Sequence, residues 1–378
     1  MGRWACLGQA IAAWLLLTGC GDTTPYRYRI AVIPKGLTHE FWQSIHRGAE
    51  RAARDLEHDK GLPTEIIWDG PLKENDSLVQ IRIVDRRIST RVSGIVLAPQ
   101  HSKTMVAPVE RAKERGIPVV IIDSGLDKKT LKRHPDLIVK YVATSNYHGG
   151  ELAAEHLLQV LQREGKDAPN LILFRYQIGS ESTEQREQGF LDRLEKVRKQ
   201  QAHAGRPTLT LLSDDKYAGA TKDTAFKEAS PLLNNLKAKG IDGIFAPNES
   251  SANGMLDALR GLDLNKKAHL MGFDSSEPLL QAVREGDMDG LILQDPYKMG
   301  YQGVWTLVHH LEGQDVEPGV HKVSTGEYLI TRANVLEDEP GQPFDGATRR
   351  LFDPEAQEQR ASAELRKGFP YVEAQDSD

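Results

Sequence analysis

Cysteine is almost missing from this chain: there are 2 in 378 residues, Cys6 and Cys20, both among the first twenty. A body without cysteine holds no disulfide framework and no thiolate metal site. The usual catalytic patterns are missing too. His39-Glu40 is followed by His46, the wrong spacing for a zinc-binding helix. There is no Gly-x-Ser-x-Gly elbow and no Gly-x-Gly-x-x-Gly turn. His309-His310 falls on a late helix and reads as surface. Net charge is −6 with basic residues spread along the chain, so no Lys/Arg stripe marks a nucleic-acid face. We expect no enzymatic activity, no cofactor, no metal and no nucleic-acid partner.

The N-terminus holds the longest apolar run. Arg3 precedes a mostly apolar stretch from Trp4 to Leu17, too short to span a membrane comfortably. It ends in Leu17-Thr18-Gly19-Cys20, which resembles the lipobox of bacterial lipoproteins. The reading is a lipoprotein signal peptide over 1–20, a lipid on Cys20, and a tether over 21–28. The mature protein is then extracytoplasmic, in the periplasm or at the cell surface, and anchored to a membrane rather than spanning it.

The rest is built from short, continuous apolar runs that stop at proline or an acid, each followed by helical periodicity. Ile30 to Ile33 stops at Pro34. Phe41, Ile45, Gly48, Ala49, Ala52 and Leu56 then lie on one helix face, with Thr38 as the expected N-cap. Trp42 lies off that stripe and reads as a stacking surface for a ligand. Further runs are Glu65–Trp68, Ser93–Pro99, Ile117–Ser124 and Leu137–Val142. Continuous rather than alternating apolar runs argue for parallel strands buried on both faces. The pattern then starts again. Asp242–Asn248 resembles the Gly94–Pro99 stretch and His269–Ser275 resembles Val119–Ser124, with Gly94 to Asp123 and Gly243 to Asp274 nearly equal in spacing. This is an internal repeat of a whole half, and it predicts two lobes of the same wound α/β topology. From about Glu337 the sequence is charged and poor in aliphatics, and 335–378 reads as a polar, mostly disordered tail, with a short helix possible near Glu355 to Lys367.

The ordered pieces IAVIPKGLTHEFW, SGIVLAP, IPVVIIDS, YVATSNYHGGELAAEHL, REQGF, GIFAPN, LMGFDSSE and ILQDPYKMG are similar to those of ribose-binding-like periplasmic binding proteins. The resemblance runs from Arg29 to Thr331. It implies the type 1 periplasmic binding fold: two Rossmann-like lobes with mostly parallel sheets, joined by a three-strand hinge. It implies a first lobe of 29–144 plus 296–319 and a second of 145–295 plus 320–334. Crossings would fall near Thr144-Ser145, near Gln294-Asp295 and near 320–326.

Carried over by position, the resemblance implies a ligand site of Lys35, His39, Phe41, Trp42, Asp123, Arg186, Asn248, Asp274 and Gln294, with the two aromatics sandwiching a sugar ring. Carboxylates accept from paired hydroxyls, Arg, Asn and Gln complete them, and aromatics cover the ring faces. The implied function is capture of a sugar or sugar-like small molecule for an ABC importer by a monomeric lipoprotein. The alternative is a receptor that feeds a sensor kinase or chemoreceptor. Lys35, His39 and Glu40 depart from the ribose-type pattern. A lysine after Ile-Pro is also seen in relatives resembling autoinducer-2-binding proteins, and points to a carbonyl, a carboxylate or a phosphate on the ligand.

Overall fold

The computed structural model describes residues 25–316, 321–335 and 349–370. The signal peptide, Cys20 and parts of the expected tail lie outside the described residues.

The first sheet has seven strands. They are β1 (Tyr28–Ile33), β2 (Thr64–Trp68), β3 (Gly94–Leu97), β4 (Val119–Ile122), β5 (Lys140–Ala143), β11 (Lys322–Ser324) and β13 (Phe369–Pro370), in the order β13-β11-β5-β4-β3-β1-β2. The second sheet has six: β6 (Asn170–Arg175), β7 (Thr210–Tyr217), β8 (Gly243–Phe245), β9 (His269–Phe273), β10 (Gly290–Leu293) and β12 (Tyr328–Ile330), in the order β12-β10-β9-β8-β6-β7. Among the described residues only the β11–β13 and β10–β12 pairs are antiparallel. The two lobes predicted from the internal repeat are therefore present.

Helices α1 (Glu40–Lys60), α2 (Ser77–Ser89), α3 (Val106–Glu114) and α4 (Lys128–Arg133) belong to the first lobe. The second lobe holds α5 (Asn146–Arg163), α6 (Glu181–His203), α7 (Lys222–Leu236), α8 (Glu249–Gly261) and α9 (Glu277–Glu285). The chain then returns to the first lobe with α10 (Pro296–Leu311), while α11 (Arg332–Val335) packs on α9. Each sheet is covered on both faces, which accounts for the unbroken apolar strands. Ile30 and Val32 face α1 and α10, whereas Ala31 and Ile33 face α2 and α3.

Two helix pairs approach closely enough to touch backbone to backbone. A Cβ at Gly48 of α1 would lie 1.9 Å from the Tyr297 carbonyl of α10, and one at Gly300 would lie 2.0 Å from that of Ile45. In the second lobe, Gly150 of α5 and Gly189 of α6 stand in the same relation to the carbonyls of Arg186 and Tyr147, at 1.9 Å and 2.0 Å.

The structure departs from the expectations at several points. α1 starts one residue later than expected: its N-cap is His39, which makes no side-chain capping bond, because the imidazole is engaged elsewhere. β11 pairs with β5 of the first sheet, so residues 322–324 belong to the first lobe and the third crossing falls between Ser324 and Tyr328. His309 is buried against Trp305 and bonded to Gln314, so of the expected surface pair only His310 is exposed. Residues 349–370 are no loose tail. They form α12 (Pro354–Glu358), α13 (Ser362–Arg366) and β13, and bury Leu351, Gln357, Arg360 and Leu365. Few aliphatics suffice there, because ion pairs with α1 and α10 do much of the holding.

A Gly48→Ala substitution is expected to lower the unfolding free energy by about 1–3 kcal/mol, since backbone rather than a flexible side chain must move. Urea unfolding should show a lower midpoint with an unchanged slope.

Candidate ligand-binding site

The C-terminal ends of the strands in the two sheets face one another across the crossings. This is where open α/β sheets place their ligands. All nine residues expected at the site line a single small space there, of ≈ 20 Å³. That is room for about one water by this measure. The side chains themselves fill the cleft, and bonds between the lobes close it.

On the first lobe, Lys35 follows β1 and Asp123 follows β4. They form a buried ion pair at 2.7 Å. Lys35 Nζ also donates to Ser182 Oγ at 3.0 Å and faces Ser180 Oγ at 3.4 Å, both on the second lobe. Asp123 takes the left-handed backbone conformation, φ 61°, and so does Asp274 at the matching place of the other lobe, φ 68°. Aspartate is among the few residues that tolerate this conformation. Neither acid is the N-cap of the helix that follows it; both turn into the cleft, and Asp274 also accepts from the Glu249 amide at the start of α8 at 3.3 Å.

On the second lobe, Arg186 is almost wholly buried, which excludes a surface ion pair. Its Nε donates to Asn146 Oδ1 at 2.8 Å and its Nη1 to the Pro247 carbonyl at 2.8 Å, with Asp274 Oδ2 at 3.5 Å. The guanidinium lies over the Phe273 ring at 3.8 Å. Gln294, at the second crossing, donates to Asp274 Oδ1 at 2.6 Å. Burial raises the pKa of Asp274, against the pull of Arg186 and Gln294. Asn248 caps α8, accepting from the Ser251 amide at 3.1 Å, while still lining the cleft.

The aromatics are arranged differently from the expected sandwich. Phe41 and Trp42 meet edge to face, centroids 4.9 Å apart and planes at 89°, so they are not two parallel walls. Trp42 is buried in the first lobe's core, and its Nε1 donates to Glu74 Oε1 at 2.7 Å. That bond explains an aromatic off the apolar stripe of α1.

Glu74 escaped the sequence reading. It lies in a charged loop, Leu72 to Asp76, where nothing local separates it from its neighbours. Buried, it accepts from Trp42, from Tyr176 of the second lobe at 2.7 Å, and pairs with His39 at 2.7 Å. Burial opposes its charge, but His39 and Lys35 outweigh that and hold its pKa at about 2. Burial likewise works against a charged His39, yet Glu74 raises its pKa to about 9. Tyr176 is pushed up by burial and by Glu74. Glu249, immediately after Asn248, was also missed although it opens α8. Its Oε2 is buried without a hydrogen-bond partner, and burial pushes its pKa up to about 8. Ser180, Ser182 and Thr183, at the start of α6, complete the lining.

Residues 30–315 match the family model described as periplasmic binding protein domain. The chain belongs to the periplasmic binding protein family. Among the relatives of this periplasmic binding protein is the D-ribose/D-allose-binding protein of Pseudomonas aeruginosa, 28% identical over 308 residues that cover 82% of this chain and 90% of that protein. A periplasmic component of an ABC-type sugar transport system from Hahella chejuensis superposes with a TM-score of 0.70 at 30% identity, covering 80% of this chain and 99% of that one. A carbohydrate transporter solute binding protein from Agrobacterium radiobacter, solved with D-arabinose, gives a TM-score of 0.72 at 29% identity, covering 86% and 99%.

The Glu74–His39 pair carries a pH signature. The depressed Glu74 contributes stability that is full above its ordinary value of 4.5 and is lost as pH falls toward about 2. The raised His39 contributes stability that is full below 6.5 and is lost as pH rises through about 9. Both are complete between those ordinary values. Removing one partner of a buried pair costs about 3–5 kcal/mol. Glu74→Gln is expected to lose about that much near pH 6, with the deficit shrinking toward both extremes. Urea unfolding across the pH range reads the difference.

Proposed function

We propose that this protein is an extracytoplasmic receptor that closes on a neutral sugar or sugar-like polyol between its lobes and presents it to an ABC importer. The observation that carries the reading is the set of buried, mutually oriented groups contributed by both lobes: Lys35 and Asp123 from one, Arg186 and Asp274 from the other, Gln294 at the crossing. Vicinal hydroxyls donate and accept at once, and carboxylates backed by Arg or Lys match that pattern. The relatives named above, a ribose/allose-binding protein and an arabinose-bound carbohydrate receptor, support the same class of ligand.

The arrangement of Lys35 argues against the anionic ligands its presence suggested in the sequence. Its ammonium has three donors, and Asp123, Ser182 and Ser180 face them. The lining holds three cationic side chains, Lys35, His39 and Arg186, against four carboxyls, Glu74, Asp123, Glu249 and Asp274. A phosphate or carboxylate would enter a site with no cation in excess.

Ligand entry requires the lobes to part, and a ligand favours closure only by contacts it makes better in the closed state. In a thermal-shift screen, neutral pentoses and hexoses are expected to raise the melting temperature, while the corresponding sugar acids and sugar phosphates leave it unmoved. Stabilisation by the acids alone would overturn the neutral-ligand assignment. For the sugar so found, Asp274→Asn should weaken binding by roughly ten- to a hundredfold in calorimetry, equivalent to ~1.5–3 kcal/mol for a hydrogen bond to a charged group.

We also propose that Cys20 is lipidated and holds the receptor at a membrane surface. Among the described residues no helix is long and apolar enough to cross a membrane. Cys20→Ala should release the protein into the soluble extracytoplasmic fraction and abolish metabolic fatty-acid labelling; labelling that persists would point to a different anchor.

A further inference from the structure

The C-terminal segment 349–370 lies beyond the part of the chain that matches the family, which ends at residue 315. It does not sit on one lobe. At its start, Leu351 is buried in the core of the second lobe and Phe352 packs against that core. A few residues later it is fastened to the first. Gln357 is fully buried and accepts from Arg47 of α1 at 2.9 Å. Arg51 of the same helix donates to the Glu358 carbonyl at 2.8 Å. The guanidinium of Arg366 lies 4.0 Å over the Trp305 ring of α10.

Two of its contacts fall on the crossings themselves. Arg360 Nη1 donates to Asp295 Oδ1 at 2.8 Å and its Nη2 lies 2.7 Å from the other carboxylate oxygen, and Asp295 is wholly buried. Asp295 follows Gln294 directly and is the N-cap of α10, accepting from the Lys298 amide at 3.0 Å. It is therefore the point where the second crossing enters the first lobe. β13 pairs with β11, with Ser324 opposite Phe369, and Ser324 is the last residue of β11 before the third crossing.

We propose that the C-terminal segment is a fourth tie between the lobes, a brace across the hinge that limits how far the cleft opens. A buried Arg–carboxylate pair with a charge-assisted hydrogen bond is among the stronger side-chain contacts. Buried at the crossing, it holds the backbone there to one course. The anchors at Leu351–Phe352 and at 357–369 make any separation of the lobes strain the segment between them.

The test needs no ligand, so it stands or falls apart from the sugar-binding reading. Nitroxide labels at Leu78→Cys on the first lobe and Phe226→Cys on the second, both exposed positions, report the interlobe distance by pulsed EPR in the processed chain, which has no cysteine beyond Cys20. For the measurement the chain is produced from residue 21 onward, which leaves out both Cys6 and Cys20. Leu351→Ser/Phe352→Ser frees one end of the segment, and Arg360→Gln frees the hinge contact. In each variant the ligand-free distance distribution is expected to broaden and move to longer values, and the affinity for any sugar found in the screen to fall by about three- to tenfold, because less of the protein is poised to close. Distributions that superpose on the parent in folded variants would overturn the proposal. If Arg360→Gln does not fold, the Leu351/Phe352 variant decides, since it leaves the buried ion pair intact. Phe352→Ser alone, at a partly exposed ring, serves if the double variant is unstable.

Discussion

A charge can be buried only if its neighbours neutralise it, and much of this molecule follows from that constraint acting at the seam between two lobes. Glu74 is the centre of it. The carboxylate is out of water, and its partners come from both sides: His39 and Trp42 from the first lobe, Tyr176 from the second. Lys35 and Asp123 repeat the arrangement, with the serines of α6 completing the ammonium's bonds from across the cleft. Arg186, Asp274 and Gln294 neutralise and bond one another within the second lobe and form the facing wall. Separating the lobes therefore exposes groups that are satisfied only when they meet, or when something of similar polarity takes their place. A polyhydroxyl molecule is such a substitute.

The internal repeat shows how the same solution was reached twice. Asp123 and Asp274 stand after equivalent strands and share an unusual backbone conformation, which turns both acids into the cleft. Paired glycines let α1 meet α10, and α5 meet α6, at backbone distance. The second of these contacts has a bearing on the site: the carbonyl that Gly150 admits belongs to Arg186, so helix packing fixes the position of the arginine.

The fold was legible because its central strands carry short apolar runs, several stopped by Pro or Asp, a pattern that periodicity and punctuation read directly. The nine candidate positions came from the family resemblance carried over by position, and the structure gathers them at one cleft. Glu74 and Tyr176 were not legible. Glu74 sits among other charges in a loop, and only tertiary structure turns it inward. Trp42 was noticed, but its partner was out of reach of local reasoning, so a core tryptophan with one polar bond read as a stacking platform. The C-terminal segment was misjudged because composition counts aliphatics, whereas residues 349–370 are held by arginines at particular places, Arg51, Arg360 and Arg366.

The order in which the chain visits the lobes has a consequence for how the protein is made. α1 packs along its length on α10, and the two are separated by the entire second lobe. Until residues 296–311 are available, the apolar stripe of α1 and one face of the first sheet cover each other only in part. A nascent chain cannot finish its first lobe first, whatever the usual N-to-C order of domain folding. Its folding must wait for contacts of very long sequence separation, which form slowly. For a polypeptide that crosses a membrane before it folds, that delay is an advantage: the topology keeps the chain unfinished, and so threadable, until its last quarter has emerged.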